Sequence, residues 1–190
     1  MPITEKTPWK KSEAPYGNTK KICENILEDK TKIESKFGTV ILRYFNPIGA
    51  HPSGLIGEAP RNITQNLVPI ITQFDIGKLK KLTVYDDDYT TKDRTCIRDY
   101  IHVSDLANIH VIALKKISDS KKSLMLNCGY GKGYSVKEIV EIFKKIKKGV
   151  VVKYRKKRIG DVAQIYSDNS KLKKILKWKP KFNNIRTILE

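Results

Sequence analysis

In the stretch TVILRYFNPIG, residues 39–49, a run of apolar residues lies shortly before an Asn-Pro pair and a glycine. The uninterrupted apolar residues at 40–42 predict a strand of the parallel type, buried on both faces. The segment at 46–49 predicts the turn that ends this strand. Upstream, Ile22, Ile26 and Leu27 follow helical spacing and predict a helix over residues 16–30. A helix that leads into a buried strand is typical of an α/β fold.

Strands and helices continue to alternate through the rest of the chain. Ser135 and Glu138 form a capping box that predicts a helix over residues 136–147, and Ser104 or Asp105 can cap an earlier helix that runs to residue 117. Helices are also predicted at 66–77 and, as the last element, at 170–176; strands are predicted at 82–85, 101–103, 125–127 and 150–154, with polar loops at 50–61 and 86–94. The predicted fold class is therefore α/β.

The composition excludes several classes of protein. With 39% hydrophobic and 31% charged residues, the chain is predicted to be a soluble globular protein with a buried core. No apolar run reaches the roughly 18 residues that a membrane-spanning helix needs. The first residues lack the pattern of a signal peptide, so a cytoplasmic location is predicted. Cys23, Cys96 and Cys128 are widely spaced and are predicted to be reduced, mostly buried thiols.

The net charge of +18 raises the question of nucleic-acid binding. Only seven of the 38 basic residues are arginine, however, and the lysines are spread along the chain instead of being interleaved with aromatic residues. Solvated lysine surfaces are the better interpretation, and nucleic acid is not expected as a specific partner. His51, His102 and His110 lack the spacing of metal ligands, so no metal site is predicted.

Tyr16 and Lys20 are candidates for an acid–base pair. At positions i and i+4 of the predicted helix, the phenol and the ammonium group lie on one face about one turn apart. A fixed positive charge at that distance favours a phenolate, which makes Tyr16 a candidate general base for a sugar hydroxyl. The spacing alone also fits an ordinary pair on an exposed helix, so the hypothesis needs support from other residues.

Four further segments occur in a fixed order. They are residues 43–54 (RYFNPIGAHPSG), 98–107 (RDYIHVSDLA), 127–136 (NCGYGKGYSV) and 158–161 (RIGD). Together with the Tyr16 segment, they resemble the UDP-glucose 4-epimerase branch of the extended short-chain dehydrogenase/reductase family, and the resemblance covers nearly the whole chain. Residues 46–54 discriminate within that family, because sister sugar-nucleotide dehydratases and decarboxylases carry a different sequence there.

Gly129, Gly131 and Gly133 could be mistaken for a dinucleotide-binding motif, since they follow a predicted strand and precede a helix. No acidic residue at the end of a following strand, about 20 positions later, completes such a motif. In the resemblance this turn is structural. The pyrophosphate-binding glycine motif of the family belongs to an amino-terminal segment that this sequence lacks, so the resemblance implies the carboxyl-terminal part of such an enzyme.

The resemblance also implies how the chain is organised. We expect a partial Rossmann-like parallel sheet, with its amino-terminal half missing, and a smaller mixed α/β substrate domain. Residues 1–46 would be a remnant of the NAD-binding domain with the catalytic Tyr helix. Residues 47–190 would be mainly the UDP-sugar-binding domain, with some segments that return to the Rossmann sheet. Such a chain is expected to be marginally stable and inactive alone, and the full-length enzyme is expected to be a homodimer.

Roles at the cofactor end follow from the same resemblance. Tyr16 matches the catalytic tyrosine, and Lys20 matches its partner, which also binds the nicotinamide ribose of NAD. Tyr44 and Phe45 match residues that flank the nicotinamide and the sugar. Aromatic residues at the end of a strand are more often part of the core, and this alternative stays open for both.

Roles toward the substrate are implied for nine positions. Asn46, Asn66 and Leu67 match groups that bind the diphosphate-sugar, the last two through free amides at a helix start. Arg98 and Arg158 match the two guanidinium groups that grip the diphosphate. Thr83 and Tyr85 match residues that lie along the uracil. Asp161 matches the acceptor for the uridine ribose, and Ile165 matches the residue near the sugar C2 substituent.

The implied reaction interconverts UDP-glucose and UDP-galactose by inversion at C4, through a 4-keto intermediate and bound NAD. Ile165 replaces a large tyrosine of the family and therefore implies some tolerance of UDP-N-acetylhexosamines. Two alternatives stay open. One is another sugar-nucleotide enzyme of the same superfamily, and the other is a non-catalytic remnant that binds UDP-sugars or polyanions.

Overall fold

The computed structural model describes residues 2–9, 15–58, 64, 66–85, 88–120, 122–155 and 161–190, with the side chains of residues 119 and 120 left aside. Within these residues the helices are α1 (Pro15–Ile33), α2 (Leu67–Asp75), α3 (Val103–Ser120), α4 (Val136–Ile146), α5 (Ser170–Leu176) and α6 (Ile185–Leu189). The strands are β1 (Val40–Tyr44), β2 (Asn46–Ile48), β3 (Leu82–Tyr85), β4 (Ile97–His102), β5 (Leu124–Cys128), β6 (Gly133–Ser135), β7 (Val152–Arg155) and β8 (Gln164–Ile165).

Parallel strand pairs dominate the sheets. β1 runs parallel to β5, from Val40 opposite Leu124 to Tyr44 opposite Cys128. β4 is the centre of a second sheet, in which β2 and β8 are parallel to it and β6 is antiparallel. β3 and β7 form a third, parallel pair. Parallel neighbours need crossover connections, which helices usually supply, and the connection from β1 to β5 contains α2 and α3. The predicted α/β class is confirmed.

The two largest of three buried clusters among the described residues join most of these elements. The first lies between α3, β5 and α5, where Leu126 and Leu172 are fully buried. The second joins α2, β3 and α4 through Leu82 and Ile139, which are also fully buried. Complete burial of such a side chain stabilises a fold by about 1.5–3 kcal/mol. Helix α1 contributes little to either cluster, and its Ile26 is 61% exposed.

Several sequence-based boundaries are wrong. Residues 46–48 form strand β2 instead of a turn, because they pair with β4. The strand predicted at 101–103 begins earlier, at Ile97. β6, β8 and α6 were not predicted, and α5 is therefore not the last element. β1 is half-buried along most of its length instead of buried on both faces, since β5 is its one strand neighbour among the described residues.

The start of α4 is as predicted. The Glu138 N–H donates to Ser135 Oγ at 3.0 Å, and the Ser135 N–H donates to the Glu138 carboxylate at 2.7 Å. This reciprocal pair is the capping box read from the sequence. The Ser135 hydroxyl also donates to Asp93 at 2.5 Å, so the same residue ties the loop before β4 to the first turn of α4.

The three cysteines differ in burial. Cys96 and Cys128 are buried as predicted, Cys23 is exposed, and none of the three is in a disulfide. Burial raises the pKa of the Cys128 thiol to about 12, so this thiol stays protonated near neutral pH. Among the residues that the structure describes, no helix combines the length and the apolar character needed to cross a membrane.

The buried carboxylate of Asp99 organises the glycine turn between β5 and β6. It is fully buried and accepts hydrogen bonds from the N–H groups of Tyr130, Gly131 and Ser167 and from the Ser167 hydroxyl. A Cβ atom on Gly129 would collide with the Asp99 Oδ2 atom, so this close approach requires glycine. The turn that resembles a dinucleotide motif thus packs against β4 within the protein.

The cap of α3 is not the one predicted. Ser104 and Asp105 lie inside the helix, which begins at Val103. The ring Nδ1 of His102 accepts the Ser104 N–H at 3.1 Å and so takes the capping role. His102 is 4% exposed and stacks on Phe182, with 4.2 Å between ring centroids. Burial lowers the pKa of His102, although the nearby Asp105 charge acts in the opposite direction.

Acid is expected to destabilise the fold through His102. Because the folded pKa lies below the unfolded value of 6.5, the stability from this ring is present above pH 6.5 and is lost as the pH falls through the folded pKa. His102→Asn keeps a side-chain oxygen that can cap α3 but cannot take up a proton. Its free energy of unfolding, measured with urea at about pH 7.5 and about pH 5.5, should therefore fall less than that of the wild type.

The control for this prediction is His110→Asn, at an exposed position of α3, the helix that His102 caps. This variant should keep the acid sensitivity of the wild type. The same loss of stability at low pH in His102→Asn as in the wild type would contradict the role given to His102.

Candidate functional site

A cleft of about 550 Å³ opens where α1, the β1–β2 junction, α2, β3 and β4 meet. Its wall contains ten of the thirteen positions that the sequence selected: Tyr16, Tyr44, Phe45, Asn46, Asn66, Leu67, Thr83, Tyr85, Arg98 and Asp161. These positions are widely separated along the chain, so the fold, not local sequence, brings them together. The volume falls in the range typical of small-molecule sites.

The floor of the cleft is set by the passage from β1 to β2. β1 ends at Tyr44 and β2 begins at Asn46, so the chain leaves one sheet and enters the next across Phe45. The Phe45 N–H donates to the Cys128 carbonyl oxygen at 3.2 Å, which fixes this junction to the end of β5. Ligands in α/β sheets bind outside the carboxyl ends of parallel strands, where neighbouring strands part. Asn46 lies at such a point.

The start of α2 presents backbone donors to the cleft. Asn66 is its N-cap residue, with extended backbone angles and no side-chain capping hydrogen bond, and Leu67 and Val68 follow it on the cleft wall. The first N–H groups of a helix have no partner within the helix. Together with the helix dipole, they favour an anion such as a phosphate group.

Arg98 supplies the guanidinium group that the structure describes on this wall. It is half-buried in β4, and its Nη1 donates to the Ile97 carbonyl oxygen at 3.0 Å. Asp161 lines the cleft as an exposed carboxylate. Arg158, the second predicted guanidinium group, lies outside the described residues. A planar guanidinium group beside a helix start is a combination that suits a diphosphate.

Tyr16 stands at the mouth of the cleft, 71% exposed. Lys20 is not part of the wall, but its Nζ lies 5.2 Å from the centroid of the Tyr16 ring. The i, i+4 spacing on α1 therefore brings the ammonium group over the phenol, as the sequence predicted. The arrangement places a phenol next to a cation at the edge of the cleft that Asn46 and Arg98 also line.

The residues predicted to lie near the uracil line the cleft, whereas the residue predicted to lie near the sugar C2 substituent does not. Thr83 and Tyr85 both line the cleft from β3. Ile165 does not: it lies in β8, opposite Arg98 in the strand register, and is half-buried there. The cleft wall therefore gives no direct support to a role of Ile165 near the sugar C2 substituent.

Sequence reasoning missed the apolar part of the wall. Cys96 and Tyr100 line the cleft on either side of Arg98 and are 6% and 4% exposed. Alternate residues of a strand share one face, so Tyr100, two positions after Arg98, could have been found once β4 was known to begin at Ile97. Cys96 immediately precedes the strand. Val136, at the start of α4, completes this wall. A mostly apolar lining with a few placed polar groups is usual for small-molecule pockets.

Comparison with known proteins assigns the chain to a family. The sequence profile of the family described as GDP-mannose 4,6 dehydratase matches residues 1–189. A curated relative, UDP-glucose 4-epimerase of Bacillus subtilis, is 46% identical over 181 residues, which are 95% of this chain and 53% of the relative. The chain thus spans about half the length of the curated relatives it matches.

Solved structures agree with the fold. UDP-glucose 4-epimerase from Bifidobacterium longum in complex with NAD+ and UDP superposes with a TM-score of 0.92 at 42% identity, over 100% of this chain and 56% of that one. The UDP-Glc/GlcNAc 4-epimerase of Campylobacter jejuni gives a TM-score of 0.76 at 36% identity, over 99% of this chain and 56% of that one. The fold of this chain as a whole is therefore one that these solved structures share.

Proposed function

This chain belongs to the GDP-mannose 4,6 dehydratase family, and we propose that within it the chain forms the UDP-sugar-binding part, with the catalytic tyrosine, of a UDP-glucose 4-epimerase. The observation that carries the proposal is the single cleft whose wall brings together Tyr16, Asn46 and Arg98. The relatives named UDP-glucose 4-epimerase support the choice of substrate. The division into residues 1–46, beside NAD, and residues 47–190, mainly around the UDP-sugar, is part of this proposal.

Different residues of the cleft are proposed to bind the diphosphate, the uracil and the ribose of UDP. Arg98 and the amides at the start of α2 would neutralise and orient the diphosphate. Thr83 and Tyr85 line the wall along β3, which suits the flat uracil ring, and the Asp161 carboxylate can accept hydrogen bonds from ribose hydroxyls. Firm binding of UDP leaves the hexose free to turn, which an inversion at C4 requires.

Tyr16 is proposed as the group that moves the proton. It would take the proton of the 4-hydroxyl of the bound hexose and later return a proton to the 4-keto oxygen. The ammonium group of Lys20 lies over the Tyr16 ring, 5.2 Å from its centroid, and so stands beside the group proposed to move the proton. Asn46 would hold the sugar near Tyr16 through its amide. Inversion results when the hexose turns over between the two transfers.

NAD fits the residues present, as far as its nicotinamide end is concerned. Tyr44 and Phe45 line the cleft next to Asn46 and offer flat apolar surfaces to a ring. When bound, NAD supplies the acceptor and then the donor of the hydride at C4. Bifidobacterium longum epimerase, with its bound NAD+ and UDP, is the relative that supports this assignment.

Further assignments extend the proposal. UDP-N-acetylhexosamines are proposed as additional substrates, supported by the relative from Campylobacter jejuni and not by the position of Ile165. A homodimer is proposed for the complete enzyme. The cysteines form no disulfide, which fits a reducing compartment, and a cytoplasmic location is proposed on that ground.

Arg98→Ala is expected to weaken the binding of UDP to this chain, measured by calorimetry without NAD. A charge-assisted hydrogen bond contributes about 1.5–3 kcal/mol, so the dissociation constant should rise about 10- to 100-fold. Arg186→Ala is the matched control, because Arg186 is exposed and pairs with Glu190 away from the cleft; it should bind like the wild type. Binding of GDP as tight as that of UDP, or an unchanged affinity in Arg98→Ala, would count against the proposed function.

A further inference from the structure

An ion pair fastens helix α1 to the sheet. Arg43 on β1 reaches Glu24 on α1 with two donors, Nε at 2.8 Å and Nη2 at 2.5 Å from the two carboxylate oxygens. Their side chains are 21% and 11% exposed, respectively. Glu24 is the one residue of α1 that is buried. This bidentate contact therefore links the helix that carries Tyr16 directly to β1.

Arg43 is itself fixed in place. Its guanidinium carbon lies 5.0 Å from the centroid of the Trp9 ring, and its Nη1 donates to the Glu5 carbonyl oxygen at 3.4 Å. On β5, Asn127 is the strand partner of Arg43, and the Asn127 N–H donates to the Glu5 carboxylate at 2.8 Å. Contacts on several sides leave the guanidinium fork few other orientations, so it presents a rigid partner to Glu24.

The spacing along α1 gives this ion pair a second consequence. Tyr16, Lys20 and Glu24 follow one another at intervals of four residues, so their side chains form a row on one face of the helix. A lysine and a glutamate four residues apart on a helix are close enough to pair when neither has another partner, although the order with lysine first is the weaker one. Lys20 therefore has two possible neighbours, the Tyr16 ring and the Glu24 carboxylate. In the structure its ammonium group lies over the ring.

We propose that Arg43 is a positioning residue for the Tyr16–Lys20 pair, because by occupying the Glu24 carboxylate it leaves the Lys20 ammonium group to the phenol. Arg43 outcompetes Lys20 for two physical reasons. Its planar fork matches both carboxylate oxygens, whereas an ammonium group acts as a point charge. It is also partly buried and held by Trp9, whereas Lys20 is exposed and must give up side-chain freedom to pair. The significance of this arrangement for catalysis rests on the proposed function, but the arrangement itself does not.

The test follows the Lys20 side chain by NMR spectroscopy of the whole chain. In the wild type the ε-methylene protons of Lys20, assigned with a Lys20→Arg variant, should resonate upfield of the other lysines because of the Tyr16 ring current. Arg43→Gln frees the Glu24 carboxylate, so Lys20 should turn to it and the upfield shift should disappear. In the double variant Glu24→Gln/Arg43→Gln no carboxylate competes, so the upfield shift should return.

The double variant separates positioning from mere support of the helix. Both variants break the ion pair, so a purely structural role predicts the same loss of the upfield shift in both, and that result would overturn the proposal. An upfield shift retained in Arg43→Gln would overturn it as well.

If Arg43→Gln does not fold, as judged by circular dichroism, Arg43→Lys replaces it. The upfield shift should then be reduced in Arg43→Lys and restored in Glu24→Gln/Arg43→Lys. UDP binding is measured separately, so failure of the proposed function and failure of this inference give different results.

Discussion

Tyr16→Phe is expected to lower the turnover of UDP-galactose about 10²- to 10⁴-fold, the usual contribution of a general acid–base group. The assay uses this chain joined to the part of Bacillus subtilis UDP-glucose 4-epimerase that the match leaves uncovered, since the chain spans 53% of that relative. Phenylalanine keeps the ring beneath Lys20 but removes the oxygen that would take the 4-hydroxyl proton. The effect should therefore fall on kcat and leave KM within a few-fold.

Tyr154→Phe is the control for this change, because Tyr154 lies on β7, is 37% exposed and is not part of the cleft wall. Its turnover should match that of the unsubstituted chimera. A Tyr16→Phe chimera with a kcat within tenfold of the parent would remove Tyr16 from the reaction. The product also discriminates: UDP-glucose indicates an epimerase, whereas a 4-keto-6-deoxy sugar nucleotide would indicate a dehydratase.

Elements fixed by neighbouring residues could be predicted from the sequence. The capping box of Ser135 and Glu138 involves residues three positions apart, and α4 begins where it predicts. The strand at 82–85 and the helix at 170–176 have the predicted bounds, since apolar spacing alone defines them. The i, i+4 relation of Tyr16 and Lys20 is equally local, and the contact between them is present.

Elements that depend on distant partners could not be predicted. β6 and β8 are short strands with no apolar pattern of their own, and both exist because β4 offers free edges to pair with. The cap supplied by His102 departs from the usual preference for serine or aspartate, because Asp105 is engaged by the N–H groups of Lys181 and Phe182. Arg94 adopts a φ of 67°, a left-handed conformation that residues other than glycine, asparagine and aspartate rarely visit.

The residues of the candidate site also differ in how far their positions could be predicted from the sequence. Positions at the ends of predicted elements, such as Asn46 and Asn66, reached the cleft wall because parallel strands and the helices between them converge there. Ile165 did not, because its position depends on how β8 pairs with β4, which is set by residues more than 60 positions apart. The partners of Arg43 are distant in the same way, so the tether of α1 could be seen only in the folded chain.

Asp99→Asn should lower the free energy of unfolding by about 3–5 kcal/mol, a large part of the total for a typical domain. The Asp99 carboxylate is fully buried and accepts four hydrogen bonds from Tyr130, Gly131 and Ser167. Asparagine has the same shape, but whichever way its amide is turned, the NH₂ group faces a donor. At least one buried donor then loses its acceptor, at a cost of about 1–3 kcal/mol, and the other bonds lose their charge assistance.

Urea denaturation at neutral pH measures this loss, and Asp168→Asn provides the matched comparison. Asp168 lies next to Ser167 but is only partly buried, and its carboxylate accepts the Ser170 N–H at 2.9 Å, which an asparagine oxygen can equally do. Its substitution should therefore cost less than about 1 kcal/mol. Because Asp99 follows Arg98 on β4, the destabilised variant should also lose UDP affinity as the glycine turn detaches from that strand. An Asp99→Asn variant as stable as Asp168→Asn would mean that the four donors find other partners, and that the turn at 129–131 does not depend on this carboxylate.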